Sequence, residues 1–236
     1  MSRGVVVAVL ALVALWASSA AAQLGSDSNP LDGRGRLRDR YEKPRQQQKL
    51  EDAIKKFNDD DLQTRLEGVD GLGDNAEDPK AIEYLLRGAA DGELSVRVKS
   101  IDVIGMARVK AAVPLLVQEL FMRDTSLATK QHILAALGRI GDSHATKPIL
   151  DFLARDVDPS IRASAVYALG DLGDRTALPT LEKIAKDSSD QNFRGLAQSA
   201  IRKIEEKPAP SVVPPALESP ERRAKRAEAE ETEETE

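Results

Sequence analysis

The chain has 236 residues, of which 41% are hydrophobic but only 3% aromatic, so a core would be packed from Ala, Leu, Ile and Val, and an aromatic-lined small-molecule pocket is not expected. A formal net charge of -5 and a pI near 5.3 argue against non-specific nucleic-acid binding, which depends on clustered cations. The absence of cysteine excludes disulfides, thiol catalysis and cysteine-ligated zinc together.

In chain order, Arg3 precedes an apolar run from Val5 to Trp16, and Ala20 and Ala22 fit an A-x-A cleavage site ahead of Gln23. Residues 1–22 therefore read as a secretory signal peptide. The mature protein is expected to be periplasmic or secreted, with no stable membrane insertion after cleavage. The alternative is an uncleaved anchor, since residues 5–22 are barely long enough to span a bilayer. Residues 23–45 are polar, contain Gly and Pro, and include a basic run at 33–40, a composition expected of a disordered linker. The amphipathic stretch 46–57 can cover the front of a helical stack by burying Leu50, Ile54 and Phe57. At the far end, residues 207–236 form a Pro-rich, then charged, disordered tail by composition.

Between these ends the sequence repeats. Arg65, Arg97, Lys130, Arg162 and Arg194 fall 32, 33, 32 and 32 residues apart, and Gly73, Gly105, Gly138 and Gly170 follow the first four at a constant offset. A period of this length is the mark of a stacked repeat architecture. Each unit continues into a second helical run, over 80–89, 113–122, 147–155 and 178–186, and three of these runs carry a proline near the start, Pro114, Pro148 and Pro179. The unit is helix, turn, helix. In the phrases at 136–142 and 168–174 the chain is expected to leave the first helix at Gly138 or Gly170 and to reverse through Gly141 or Gly173. Asp142 and Asp174 would then accept hydrogen bonds from free amides ahead of the second helix.

Columns across the repeats agree. Mostly small residues stand three and six positions after each cation (Ala165 and Ala168 in the fourth unit), which lets neighbouring first helices approach closely. Bulky residues follow at Leu72, Ile104, Leu137, Leu169 and Ile201. Four positions before each cation stand Asp61, Glu93, Ser126, Asp158 and Asp190. These can cap the first helix, and the acidic ones can pair with the cation one turn later.

The run at 161–174 followed by Pro179 resembles the HEAT-like repeats first recognised in phycobilisome lyases, whose signature is similar to V-R-x-x-A-x-x-A-L-G-x-I-G-D with a proline beyond it. Residues 129–142 fit well. Residues 96–105 lose the second glycine, and residues 64–73 are weaker, with Gly68 and Gly71 inside the helix; residues 193–204 look like a single closing helix. The resemblance covers roughly residues 45 to 206. It implies an all-α fold, an α-solenoid of about four to five HEAT-like helix pairs over residues 46–206, with second helices on the concave face and disordered tails.

A catalytic centre is not evident. His132 and His144 lack the partners of a metal or acid-base site, Gly170 and Gly173 do not form a phosphate cradle, and no cofactor is implied. By repeat alignment the outward stripe of the second helices comprises Arg87, Gln118, Lys147, Asp151, Arg155, Glu182, Lys183 and Lys186, a mixed-charge face suited to a protein or peptide and not to nucleic acid. Val117, Phe121, Met122 and Phe152 are either core or an apolar interface, because the second unit carries two extra residues there. The function expected is a non-enzymatic, extracytoplasmic protein-binding scaffold. The alternatives are a lyase or lyase subunit acting on a chromophore-bearing protein, and a structural envelope component.

Overall fold

A computed structural model of the chain describes residues 33–155 and 158–207, with side chains from residue 44 onward. The leader, residues 23–32 of the linker and almost the whole carboxy-terminal tail lie outside the described residues. The described residues up to Ile204 form one compact unit, and Glu205 begins a second.

Among the described residues there are ten α-helices and no strand: α1 Gly33–Phe57, α2 Leu62–Gly73, α3 Pro79–Ala89, α4 Leu94–Met106, α5 Val113–Phe121, α6 Leu127–Ile140, α7 Thr146–Leu153, α8 Pro159–Leu172, α9 Leu178–Asp187 and α10 Gln191–Glu206. Short 3-10 turns at Lys110–Ala112, Ser143–Ala145 and Arg175–Ala177 lead into α5, α7 and α9. The first helices α2, α4, α6 and α8 pack in succession, while α3, α5 and α7 pack against the first helix that follows each of them, which is the neighbour-to-neighbour packing of an α-solenoid.

α1 departs from expectation. It starts at Gly33, not Gln46, and carries Pro44 inside it, so the basic run at 33–40 is helical. Charge in that run predicts solvation but does not oppose helix formation, and Arg and Leu are good helix formers. Its last turns bury Leu50 and Phe57, with Ile54 partly covered, against α2. Gly68 and Gly71 make that contact possible: a Cβ at Gly68 would collide with the Phe57 backbone, and one at Gly71 would fall 2.8 Å from Ala53 Cβ. The residues that weaken the repeat signature in the first unit are thus those that admit the covering helix.

The glycine column has a different role from the one read off the sequence. Gly105, Gly138 and Gly170 lie inside α4, α6 and α8, before the turn. A Cβ would fall 2.8 Å from Ala136 Cα at Gly105, 3.1 Å from Ala168 Cα at Gly138 and 2.9 Å from Ala200 Cα at Gly170. The glycine of one unit therefore meets the small residue of the next, and the first helices touch backbone to backbone. Only the second glycines reverse the chain, Gly141 with φ 70° and Gly173 with φ 78°. Beyond them Asp142 and Asp174 accept hydrogen bonds from the amides of His144 and Thr176, each at 3.0 Å, as expected.

The side chains before the first helices cap as expected in four of the five units. Asp61 accepts from the Thr64 amide at 2.8 Å, Ser126 from Thr129 at 3.1 Å, Asp158 from Ser160 at 2.8 Å and Asp190 from Asn192 at 2.8 Å, whereas Glu93 makes no such bond. The cations do not turn back to these acids. Arg65 bonds Asp91 across to the next loop, Arg97 and Arg194 donate to the carbonyls of Asp91 and Ser188, and Arg162 lies 4.8 Å from the Phe193 ring centroid. An arginine reaches further than one helical turn, so it ties loops and neighbouring units together.

Candidate functional site

The second helices α3, α5, α7 and α9 are amphipathic, and their inner sides are fixed by the core. Leu85 and Leu86 are buried in α3, Leu116 and Leu120 in α5, Ile149, Phe152 and Leu153 in α7, and Leu181 in α9. The opposite sides face solvent. All eight residues of the anticipated stripe, Arg87, Gln118, Lys147, Asp151, Arg155, Glu182, Lys183 and Lys186, are exposed.

Several are held in defined positions. Lys147 Nζ donates to Asp151 Oδ2 at 3.1 Å, one turn further along α7. Arg87 lies over Tyr84 at 4.8 Å from the ring centroid, and Tyr84 meets Phe57 edge to face at 5.8 Å. Arg155 lies over Phe121 at 4.4 Å, and Phe121 meets Phe152 edge to face at 5.7 Å. Two guanidinium groups thus lie over aromatic side chains packed against the core, which restricts them while leaving them accessible. The aromatics carrying them belong to the neighbouring unit or to the same helix, which the sequence stripe could not reveal.

The apolar group resolves mainly into packing. Phe152 is buried and Val117 and Phe121 pack against the core, while Met122, just beyond the end of α5, stays 37% exposed. α5, with 9 residues, falls within the 8 to 11 residues of its counterparts and is not a lengthened helix.

The histidines sit apart from this face. His132 Nδ1 lies 2.9 Å from Asp102 Oδ1, linking α6 to α4, and His144 Nδ1 lies 2.6 Å from Asp142 Oδ1 in a turn. The His132–Asp102 contact is a partner the sequence did not disclose, and it joins the ion pairs Lys99–Asp70 and Lys203–Asp171 that bridge consecutive first helices at 2.7 Å. Hydrogen bonds from the backbone and ring of His144 hold the Asp142 carboxyl below the usual carboxylate range. Burial alone would raise Asp174, but hydrogen bonds from Thr146 and Thr176 outweigh it and leave that carboxyl low as well. Glu119 is raised by burial. These shifts follow capping and burial and do not converge on one spot.

Among the described residues no three His, Asp or Glu side chains are grouped to hold a metal, and no helix is long and apolar enough to cross a membrane. A cleft of about 670 Å³ opens between α1 and the α2–α3 turn, lined by Gln46, Leu50, Glu51, Asp74, Glu77 and Ala107. Its wall is mostly polar and lacks the aromatic groups common in small-molecule pockets.

Residues 113–202, from α5 into α10, match the family model described as HEAT repeats. This segment carries HEAT repeats. No curated protein matches the chain. HEAT repeats are built from nearest-neighbour helix pairs and generally mediate protein–protein interaction, which agrees with the row of second helices presented here.

Proposed function

We propose that this HEAT-repeat chain is a non-enzymatic scaffold working outside the cytoplasm, and that it binds another protein across the exposed sides of α3, α5, α7 and α9. The observation that carries the reading is the stripe itself: eight polar or charged side chains, seven on four consecutive second helices and Arg155 just beyond the third, exposed on elements whose opposite sides are locked in one core. Such a surface is held at fixed spacing before a partner arrives, so little ordering is required on binding. Its mixed signs suit the patterned charges of a folded protein or peptide. The amino-terminal Arg3, the apolar run and the small residues before Gln23 support export.

The test is capture of envelope proteins on the immobilised mature chain, comparing wild type with the triple variant Lys147→Glu, Asp151→Lys, Arg155→Glu. The first two changes swap a pair within one helix, so the fold is kept while the charge pattern is inverted. Saturable capture is expected to fall at least tenfold, and unchanged capture refutes the assigned face. Amino-terminal sequencing of the exported protein is expected to begin at Gln23.

A further inference from the structure

One edge of the stack lies where α1, α3 and α5 pass into the first helices α2, α4 and α6. Among the described residues six large hydrophobic side chains are exposed, and four lie on this edge: Leu62 (41% exposed), Leu94 (48%), Met122 (37%) and Leu127 (55%). The three leucines are each the first residue of a first helix, α2, α4 and α6, so one leucine stands at the same place in three consecutive units. Packing gives them no reason to be apolar, because the same position holds Pro159 and Gln191 in the later units.

The charge of the edge is equally uneven. The loops at 58–61, 90–93 and 122–126 contain six carboxylates and a single cation, Arg123. Part of this charge is engaged, since Asp61 caps α2 and Asp91 meets Arg65. Asp60, Glu93 and Asp124 form no ion pair among the described residues, although Glu93 occupies a cap position and would be expected to serve there. Helix amino-termini at this edge carry partial positive charge, which offsets some of the carboxylate field. Apolar contact must therefore supply most of the binding, with charge selecting the occupant.

We propose that this edge docks a cationic amphipathic helical segment of a partner protein, its apolar side on Leu62, Leu94 and Leu127 and its Lys or Arg side chains against Asp60, Glu93 and Asp124. Neighbouring packed helices stand about 8–10 Å apart, so the three-leucine row spans roughly 20 Å, the length of about 13 helical residues. This surface is distinct from the exposed sides of the second helices, and the two can be occupied together.

The experiment uses the full mature chain and a fluorescein-labelled 14-residue amphipathic peptide of Leu and Lys, read by fluorescence anisotropy. Saturable binding to wild type is expected, weakened at least tenfold by Leu94→Asn with Leu127→Asn. The triple variant Asp60→Asn, Glu93→Gln, Asp124→Asn should bind several-fold more weakly and with less dependence on salt. Lys147→Glu with Arg155→Glu should leave binding unchanged, which separates this edge from the face proposed above. Because all the altered leucines and carboxylates are exposed, thermal unfolding is expected to stay near wild type and serves as the control for folding. The proposal is overturned by no binding to wild type, by equal binding to the leucine variant, or by an oligolysine of the same length binding as tightly. It is also overturned if sedimentation shows a dimer that the leucine variant dissociates, since the edge would then be occupied by a second copy.

Discussion

The rear of the stack, residues 113–202, and the front, up to Met106, build the same helix pairs from different local solutions. In the rear the chain reverses through glycines with positive φ, Gly141 and Gly173, each followed by an aspartate that receives the next free amide. The corresponding position behind α4 is Arg108, which adopts φ 53° without being glycine, followed by Val109, which makes no side-chain cap. Behind α2 the solution differs again: Asp74 stays in the right-handed helical region and no 3-10 turn precedes α3. The helix pairing is common to both regions because packing between neighbouring units imposes it. The turn residues adjust to that geometry at different cost, and the family match covers the part in which they do so most cheaply.

The largest effect expected from breaking this arrangement lies at the first-helix contact. Gly170→Ala places a Cβ 2.9 Å from Ala200 Cα, where backbone must move, and should lower unfolding stability by about 2 kcal/mol in urea titrations despite the better helix propensity of alanine.

Next is Asp174→Ala, which removes the acceptor of the Thr176 amide and of the Thr146 hydroxyl at 2.6 Å; Thr146 is buried, so its hydroxyl loses a partner that water cannot readily replace. A loss of about 1.5 kcal/mol at pH 7 is expected. Because the folded state holds this carboxyl below its ordinary value near 4, its contribution is present above that value and disappears as pH falls through the lower folded value. The difference between wild type and Asp174→Ala should therefore shrink below about pH 4; a pH-independent difference would separate the cap from its ionisation.

A smaller change of opposite sign sharpens the comparison of turns. Arg108→Gly should raise stability by up to about 1 kcal/mol, since the positive φ costs a non-glycine residue and the exposed side chain makes no hydrogen bond or ion pair among the described residues. The smallest effect is expected at Gly195, also within a helix but with nothing near its missing Cβ. Here Gly195→Ala should gain about 0.5 kcal/mol, showing that the penalty at Gly170 comes from the neighbouring unit and not from the substitution type.

Much of the architecture was legible in the sequence because helical periodicity and the 32-residue spacing both report a contact made in every unit. Four of the five proposed caps were legible for the same reason: a cap bonds within three residues of itself. The cation column was not, since Arg65 reaches Asp91 in a loop whose distance depends on how units stack, and Arg97 and Arg194 fold back to carbonyls six residues earlier, beyond the one-turn spacing expected. The helical character of residues 33–45 was hidden because charge and proline describe solvation and local φ, while continuity with a docked segment decides the helix. The exposed stripe could be anticipated from repeat register, but the placement of Arg155 over Phe121 could not, because it crosses from the segment just beyond α7 to α5.

What the sequence by itself determined is the unit: a pair of helices, the place of its reversal, its caps and its small-residue column, all consequences of interactions spanning a few residues or recurring at a fixed period. The tertiary structure alone decided which glycines serve close approach and which serve the turn, where the long cationic side chains end, and which leucines remain on the surface. Those outcomes depend on the distance between neighbouring units, and that distance is a property of packed side chains in three dimensions which no single stretch of chain contains.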